Sequence, residues 1–270
     1  KKEYDKIVTK TTEDLRQKRG VFMGEKVLLS SGNHEIYRDG DTVIKVYRKG
    51  FPKSEVLREA MYQSLAEELG ILVPKVLGVT ELEDGQLGLL SQYVEGKTLA
   101  QLMRENPDKK EEYLKKMVEL QVELSSKEGP LIPDLKVKMD CQIKQLKGLN
   151  DITRFEIMTK LNGMPDHRKL CHGELYPENI IVNEKGWYVL DWIHAANGNV
   201  SADVARTYLL LALEDKEMAE TYLSLFCART RTEKAYVQGW LPLVAAAQLT
   251  KKRKKEAELL ESLINICDID

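Results

Sequence analysis

The chain has 270 residues, of which 43% are apolar, and a formal net charge of −2. That length suffices for one large domain or two lobes, and the near-neutral balance excludes a global electrostatic pull toward nucleic acid or a membrane surface. Four cysteines (Cys141, Cys171, Cys227, Cys267) stand apart without a Cys-x-x-Cys pair. Neither a disulfide framework nor a zinc site is therefore expected, and a reducing, cytoplasmic setting fits the usage. Apolar runs such as Trp240 to Leu249, with Pro242 inside it, are too short to span a bilayer. Lys1 to Gly20 carries charge throughout and has no signal-peptide pattern.

Residues 26 to 47 read as strands. Lys26 to Ser30 is followed by a turn at Ser31-Gly32-Asn33, then Glu35 to Arg38, a turn at Asp39-Gly40, and Thr42 to Tyr47. An Asp-Gly pair between β-branched runs is a hairpin signal. Alternation puts Val43, Lys45 and Tyr47 on one face and Ile44 and Val46 on the other. A lysine between apolar neighbours on a strand needs a buried partner or a ligand. His34-Glu35 lacks the second histidine of a zinc helix, so this turn reads as a phosphate-side loop, with Ser31 and Gly32 as candidate nucleotide contacts.

Beyond Gly50-Phe51-Pro52, Val56, Leu57, Ala60, Met61, Leu65 and Leu69 recur with helical period over Glu55 to Leu69, ended by Gly70. Glu59 lies inside that helix. Pro74 to Val79 and Leu87 to Val94 read as strands around an Asp84-Gly85 turn. From Leu99 onward the chain is mainly helical, with amphipathic runs at 111–124, 203–227 and 233–266. Ala195 to Gly198 reads as a turn. The basic run Lys251 to Lys255 leads into Ala257, Leu259, Leu260, Leu263 and Ile264, spaced as a buried helical face, so it reads as the solvated start of a helix and not as a site.

Two strands interrupt the helical half. Ile180 to Val182 and Trp187 to Leu190 flank Glu184-Lys185-Gly186, a hairpin with Asn179 at one end and Asp191 at the other. It brings these two oxygen donors together across twelve residues of sequence. Just upstream stands Cys171-His172-Gly173-Glu174-Leu175-Tyr176-Pro177-Glu178-Asn179. Magnesium is held by one or two protein oxygens plus substrate phosphates, which Asn179 and Asp191 can provide. Glu174 sits where the proton of an acceptor hydroxyl would be received. Phosphoryl transfer needs little else beyond cations on the phosphate oxygens and an acceptor placed in line.

This stretch resembles the catalytic and metal-binding loops of the aminoglycoside phosphotransferase family, the small-molecule branch of the protein-kinase-like fold. That family reads His-Gly-Asp, Asn five residues after the Asp, then Asp-Trp after a hairpin. Here Glu174 replaces the catalytic Asp, while Asn179 and Asp191-Trp192 keep their spacing. Asp-Trp in place of Asp-Phe-Gly, with no Ala-Pro-Glu motif, disfavours a protein substrate.

The resemblance implies further roles. Lys45 pairs with Glu59 and contacts the α- and β-phosphates. Leu89 to Gly96 is the hinge, with Gln92 and Val94 at the adenine. Asp203, with Arg206, braces the catalytic loop, although N-capping of a helix by Ser201 or Asp203 is a structural alternative. His172 holds the loop backbone and is neither base nor metal ligand.

The expected fold is α+β, two-lobed and protein-kinase-like, with a β-rich N-lobe over residues 1–93 and a helical C-lobe over 94–270. The implied activity transfers the γ-phosphoryl of ATP or GTP, with Mg2+, to a hydroxyl of a small molecule. Glu174 keeps open the alternative of a nucleotide-binding module with attenuated catalysis. Neither a nucleic-acid nor a membrane partner is expected. Aminoglycosides are polycations, yet Asp134 to Leu161, expected to shape the acceptor pocket, carries Lys136, Lys138, Lys144, Lys147 and Lys160 among its acids.

Overall fold

The structure, a computed structural model, describes residues 27–31, 34–82, 84–147, 149–251 and 256–265. Gly32 and the basic residues Lys252 to Lys255, both singled out above, lie outside the described residues, and so does Cys267. The chain divides into two compact units, one made of residues up to Ser64 with Pro74–Val94, the other of Leu65–Val73 with Glu95 onward.

The first unit is built on a five-stranded antiparallel sheet of β1 (Val27–Ser31), β2 (Glu35–Asp39), β3 (Thr42–Val46), β4 (Val76–Glu81) and β5 (Leu87–Gln92), in the order β1-β2-β3-β5-β4. The β2–β3 hairpin closes where the Asp-Gly signal puts it, with Asp39 opposite Thr42 and Gly40 at a positive φ of 58°. A long helix, α1 (Lys53–Glu68), follows β3. Its Val56 and Ala60 pack into a cluster with Tyr47 and Leu89, flanked by Phe51, Val76 and Val79. Leu57 and Met61, expected on the buried face, are exposed. Glu59, Tyr62, Gln63 and Ala66 are buried instead, because the buried stripe includes two polar residues that apolar period alone does not count. Gly70, at φ 79°, ends this stretch as a helix-terminating glycine does.

The second unit is mainly helical. β6 (Lys97–Thr98) leads into α2 (Leu99–Glu105), closed at its start by a capping box between Thr98 and Gln101. Then come α3 (Lys110–Ser125), α4 (Leu135–Gln145) and α5 (Asp151–Gly163). β7 (Lys169–Cys171) precedes the hairpin β8 (Ile180–Asn183) and β9 (Gly186–Val189), and β6 extends that hairpin to a three-stranded antiparallel sheet.

Ala196–Gly198 is a strand, β10, paired antiparallel with β7, and not the turn its composition suggested. Asn197 explains the difference. Its side chain donates to the Gly129 and Ile132 carbonyls and accepts from the Gly129 amide, tying the segment to a distant loop.

The amphipathic run at 203–227 is two helices, α6 (Val200–Ala212) and α7 (Lys216–Thr230), broken where Asp215 caps the second by accepting from the Met218 amide. The cap of α6 is Asn199, whose side chain accepts from the Ser201 amide. Ser201 and Asp203 do not have that role. The run at 233–266 is likewise divided, into α8 (Lys234–Gln238), α9 (Leu241–Leu249) and α10 (Ala257–Asn265). α9 is buried from Leu241 to Gln248, as a helix apolar on every side must be. On α10, Leu260 and Ile264 are buried while Leu259 is exposed. None of the described helices is long and apolar enough to cross a membrane.

Candidate active site

In the first unit, β3 and α1 bring two predicted residues together. Lys45 Nζ donates to Glu59 Oε1 at 2.7 Å, and Tyr47 Oη donates to Glu59 Oε2 at 2.6 Å. The alternation that put Lys45 and Tyr47 on one face explains why both reach the same carboxylate. Glu59 is almost fully buried, 1% exposed. A carboxylate taken out of water is tolerated only when charge and hydrogen bonds replace its hydration. At the end of β5, the Gln92 amide donates to the Lys75 carbonyl at 2.8 Å, which commits that N–H within the sheet. Val94 follows, buried, and ends the unit. Ser31 closes β1. His34, read as part of a phosphate-side loop, packs its ring against Tyr47 and Phe51, at centroid distances of 4.7 and 5.5 Å.

In the second unit, the loop after β7 carries the other candidates. Gly173 has φ 80°, and a Cβ there would run into the His194 carbonyl. Only glycine lets the loop pass that close. α6 grips the same loop from below. Asp203 accepts from the His172 amide at 2.9 Å and the Gly173 amide at 2.7 Å, and Thr207, one turn on, donates to the Leu175 carbonyl at 3.0 Å. Gln121 adds a third donor to Asp203 at 2.7 Å and in turn accepts from the Tyr222 hydroxyl. All these groups except Gly173, which is half-buried, are buried, so the network supplies hydrogen bonds in place of water.

His172 is fully buried. Its Nδ1 accepts from the Glu174 amide at 3.2 Å, and Nε2 faces the Leu190 carbonyl at 2.9 Å. That pairing requires the neutral tautomer with hydrogen on Nε2. Burial holds its pKa below the ordinary value. Trp192 stands edge-on to this ring at 4.8 Å and donates from its indole to the Val189 carbonyl.

The metal candidates are linked by backbone. The Leu190 amide donates to the Asn179 carbonyl at 2.8 Å, continuing the β8–β9 ladder by one pair beyond Ile180 and Val189. This sets Asp191 next to Asn179. Asn179 Nδ2 donates to the Glu174 carbonyl at 3.0 Å, which turns its Oδ1 to the other side as the free-lone-pair end of the amide. Asp191 adopts a left-handed conformation, φ 61° and ψ 64°, uncommon for a residue with a Cβ and concentrated at functional sites. Among the described residues no group of three or more His, Cys, Asp or Glu forms a metal cage. A donor pair of one amide and one carboxylate oxygen suits a hard cation that takes the rest of its shell from phosphates and water.

The Glu174 carboxylate is 13% exposed and lies in a tight triangle. Its Oε2 accepts from Lys251 Nζ and from His194 Nε2, each at 3.0 Å, and those two nitrogens are 3.1 Å apart. Burial alone would raise the Glu174 pKa. The His194 hydrogen bond and the charges of Lys251 and Arg206 more than reverse this and hold it well below the usual carboxylate range. His194 goes the other way from its ordinary value: burial, aided by Lys251, pushes it down to about 4 despite the pull of Glu174. It is therefore neutral at pH 7, donating through Nε2.

Sequence reasoning missed His194 and set Lys251 aside as part of a solvated helix start. Lys251 instead lies just past α9, bonded to a residue 77 positions away. Nothing local could have announced that contact. His194 had a weak signal, a histidine three positions after Asp191.

A small sheet unit followed by a helical unit with this loop arrangement defines the protein-kinase-like class of folds. The chain belongs to the phosphotransferase enzyme family (APH), whose model matches residues 28–240. Solved structures agree on the fold. Aminoglycoside phosphotransferase APH(4)-Ia is 17% identical, with a TM-score of 0.69 over 96% of this chain and 98% of that one. The amicoumacin kinase hAmiN, in complex with AMP-PNP, Ca2+ and Ami, is 12% identical with a TM-score of 0.63, over 97% and 95%. A choline/ethanolamine kinase family protein from Mesorhizobium loti is 15% identical with a TM-score of 0.59, over 95% and 93%. No curated protein matches the chain in sequence.

Proposed function

We propose that the protein is a small-molecule kinase, transferring the γ-phosphoryl of ATP or GTP to a hydroxyl of a small acceptor. The observation that carries this reading is the loop in which the Asn179 side chain donates to the Glu174 carbonyl while the Asn179 carbonyl accepts from the amide of Leu190, the residue before Asp191. A structure of hAmiN with AMP-PNP supports a nucleoside triphosphate as donor, adenine being the base seen there.

In this reading Lys45 meets the nucleotide phosphates, and Glu59 and Tyr47 fix its ammonium in one place. Asn179 and the Asp191 carboxylate would hold Mg2+. A bound divalent ion would offset charge on the phosphate oxygens. Glu174 accepts a hydrogen bond from the acceptor hydroxyl and aims its oxygen at the phosphorus. Because its pKa is held low, the carboxylate is a weak base, and its contribution is orientation more than proton abstraction. That suffices in a loose, metaphosphate-like transition state, where little proton transfer has to precede bond formation. As the bond to the departing nucleoside diphosphate breaks and the acceptor oxygen becomes acidic by bonding to phosphorus, its proton passes late to the Glu174 carboxylate and on to solvent.

The low basicity of Glu174 also favours a second reading, a nucleotide-binding module with attenuated transfer. Calorimetric titration with ATP, and with GTP, in the presence and absence of Mg2+ tests what both share. Binding strengthened at least tenfold by Mg2+ supports the phosphate–metal assignment, and no binding of either nucleotide removes both readings. Replacing Asp191 with Ala should abolish the Mg2+-dependent part. Undiminished Mg2+ enhancement in D191A would sink the metal assignment.

A further inference from the structure

Two cavities open in the second unit, and they differ in size. The one beside His194 and Lys251 has a volume of about 50 Å3, room for a few waters. The other has about 390 Å3, within the roughly 300–1,000 Å3 that small-ligand sites occupy. Its walls come from parts of the second unit that are far apart in sequence: α2 and the turn after it, the first residue of α3, the Tyr176-Pro177-Glu178 stretch, and the junction of α6 and α7. Neither Glu174 nor the two side chains bonded to its carboxylate line it. A molecule held here is therefore not the hydroxyl acceptor that Glu174 would direct.

The larger cavity has a carboxylate in surplus. Lys110 and Asp215 form a close pair at 2.5 Å. Arg104 stands 3.6 Å from Glu178, longer than a hydrogen bond. Glu214 receives a hydrogen bond from the Tyr176 hydroxyl, a neutral partner, and lies near enough to Glu178 for their negative charges to repel. Three carboxylates thus line the cavity with two cations, and the uncompensated charge falls between Glu178 and Glu214. Ala100, Met103 and Met218, all buried, add an apolar wall. The two thioethers adapt to an aliphatic or aromatic body. Among the described residues no group of three or more His, Cys, Asp or Glu could hold a metal ion, so the complement of this cavity is an organic cation.

We propose that the cavity is a binding site for a small organic cation, an ammonium or guanidinium group on an apolar body, with its charge between Glu178 and Glu214 and its body against Met103 and Met218. The site goes beyond the phosphotransferase reading and does not depend on it. A cation gains two carboxylates at once and offsets their mutual repulsion, whereas an anion meets three like charges, which disfavours the wrong partner. Both carboxylates stand at an exposed rim, where salt screens the attraction, so the apolar wall has to supply part of the affinity. The occupant also adjoins the loop that carries Asn179. The Tyr176 carbonyl accepts from the Asn179 amide at 2.8 Å, and Glu178 is the residue before Asn179.

The test is calorimetric titration of the full chain, without nucleotide, using three probes that share one body and differ at the polar end: phenethylamine, 2-phenylethanol and 3-phenylpropionate. The amine should bind roughly ten times more tightly than the alcohol, with the carboxylate weakest. E178Q and E214Q keep the shape and remove one charge, and each should cut amine affinity about fivefold, the size of one exposed ion pair. Neither should alter binding of the alcohol. E123Q, at an exposed acid outside the cavity, should leave amine binding unchanged. The inference is overturned if the alcohol or the carboxylate binds as tightly as the amine, if the amine does not bind, or if E123Q weakens it as much as E178Q and E214Q do. Thermal melts check folding, and if one of the two glutamine variants unfolds, the other decides. The kinase reading stands or falls in the earlier nucleotide titration, so the two failures are separate.

Discussion

Two lysine–glutamate pairs, one in each unit, use the same chemistry in opposite senses. Lys45 and Glu59 meet at 2.7 Å with the glutamate 1% and the lysine 15% exposed. Lys251 and Glu174 meet at 3.0 Å with exposures of 21% and 13%. In the proposed reading the buried carboxylate of the first pair is the holder, also bonded to Tyr47, and the lysine is the group presented to the phosphates. In the second, on the same reading, the carboxylate is presented, and the lysine, with His194, holds it. A buried ion pair contributes little net stability, because desolvation offsets the attraction, but it fixes geometry.

Breaking the first pair should have the largest effect. Replacing Glu59 with Ala removes the acceptor for both the Lys45 ammonium and the Tyr47 hydroxyl and leaves a mostly buried cation. The expected cost is about 3–5 kcal/mol, read as a drop in the urea midpoint at constant slope. A loss under about 1 kcal/mol would show that Lys45 finds solvent instead, and the holder role would fall.

The second pair should respond to acid. His194 has a folded-state pKa of about 4 against an ordinary 6.5, so the unfolded chain takes up the proton first. Stability is full above pH 6.5, declines as pH falls, and has lost at most about 3 kcal/mol by pH 4. Glu174, with its pKa lowered, adds a loss of the same sign below its ordinary 4.5. His172, buried with its pKa also lowered, works in the same direction. Unfolding free energy measured across this range should therefore rise with pH, and H194Q should flatten the rise without abolishing it.

Glu174 itself gives the next contrast. An aspartate there would withdraw the carboxylate by roughly 1 Å or more from Lys251 and His194. Misplacement on that scale costs about a hundredfold in rate. The expectation for E174D is thus a loss of phosphotransfer. A gain would mean that the natural glutamate restrains an aspartate-type site, and would favour the attenuated reading.

Much of this arrangement was legible in sequence because it is local. The β2–β3 hairpin, the helix carrying Glu59 and the β8–β9 hairpin each follow from periodicity and turn residues within about twenty positions. The Lys45–Glu59 contact spans only 14 residues. Boundaries failed where helices of similar character adjoin: α6 and α7 merged into one run because both are amphipathic, although Asp215 was a readable cap. Long-range contacts were illegible. Asn197 belongs to a strand because Gly129 and Ile132 hold it, and the cation beside Glu174 comes from a lysine that resembled its solvated neighbours. The polar brace was half-read: Asp203 was singled out, but its buried partners Gln121 and Tyr222 look like ordinary helix residues.

The smallest expected effect sharpens the comparison most. K251M removes the charged holder of Glu174 but leaves His194 in place, so a partly exposed pair is lost and stability should fall by only about 1 kcal/mol. Electrostatics should show more. Without the nearby cation the ionised carboxylate is less favoured, and its pKa must rise toward the ordinary value. The side-chain carboxyl resonance of Glu174, followed by pH titration in isotope-labelled protein, should have a higher midpoint in K251M than in the natural chain, while K251R restores it. An unmoved midpoint would leave Lys251 a mere neighbour, and Glu174 would then owe its position to His194 alone. Movement in K251M without rescue by K251R would mean that the compact ammonium, rather than its charge, is what the triangle requires.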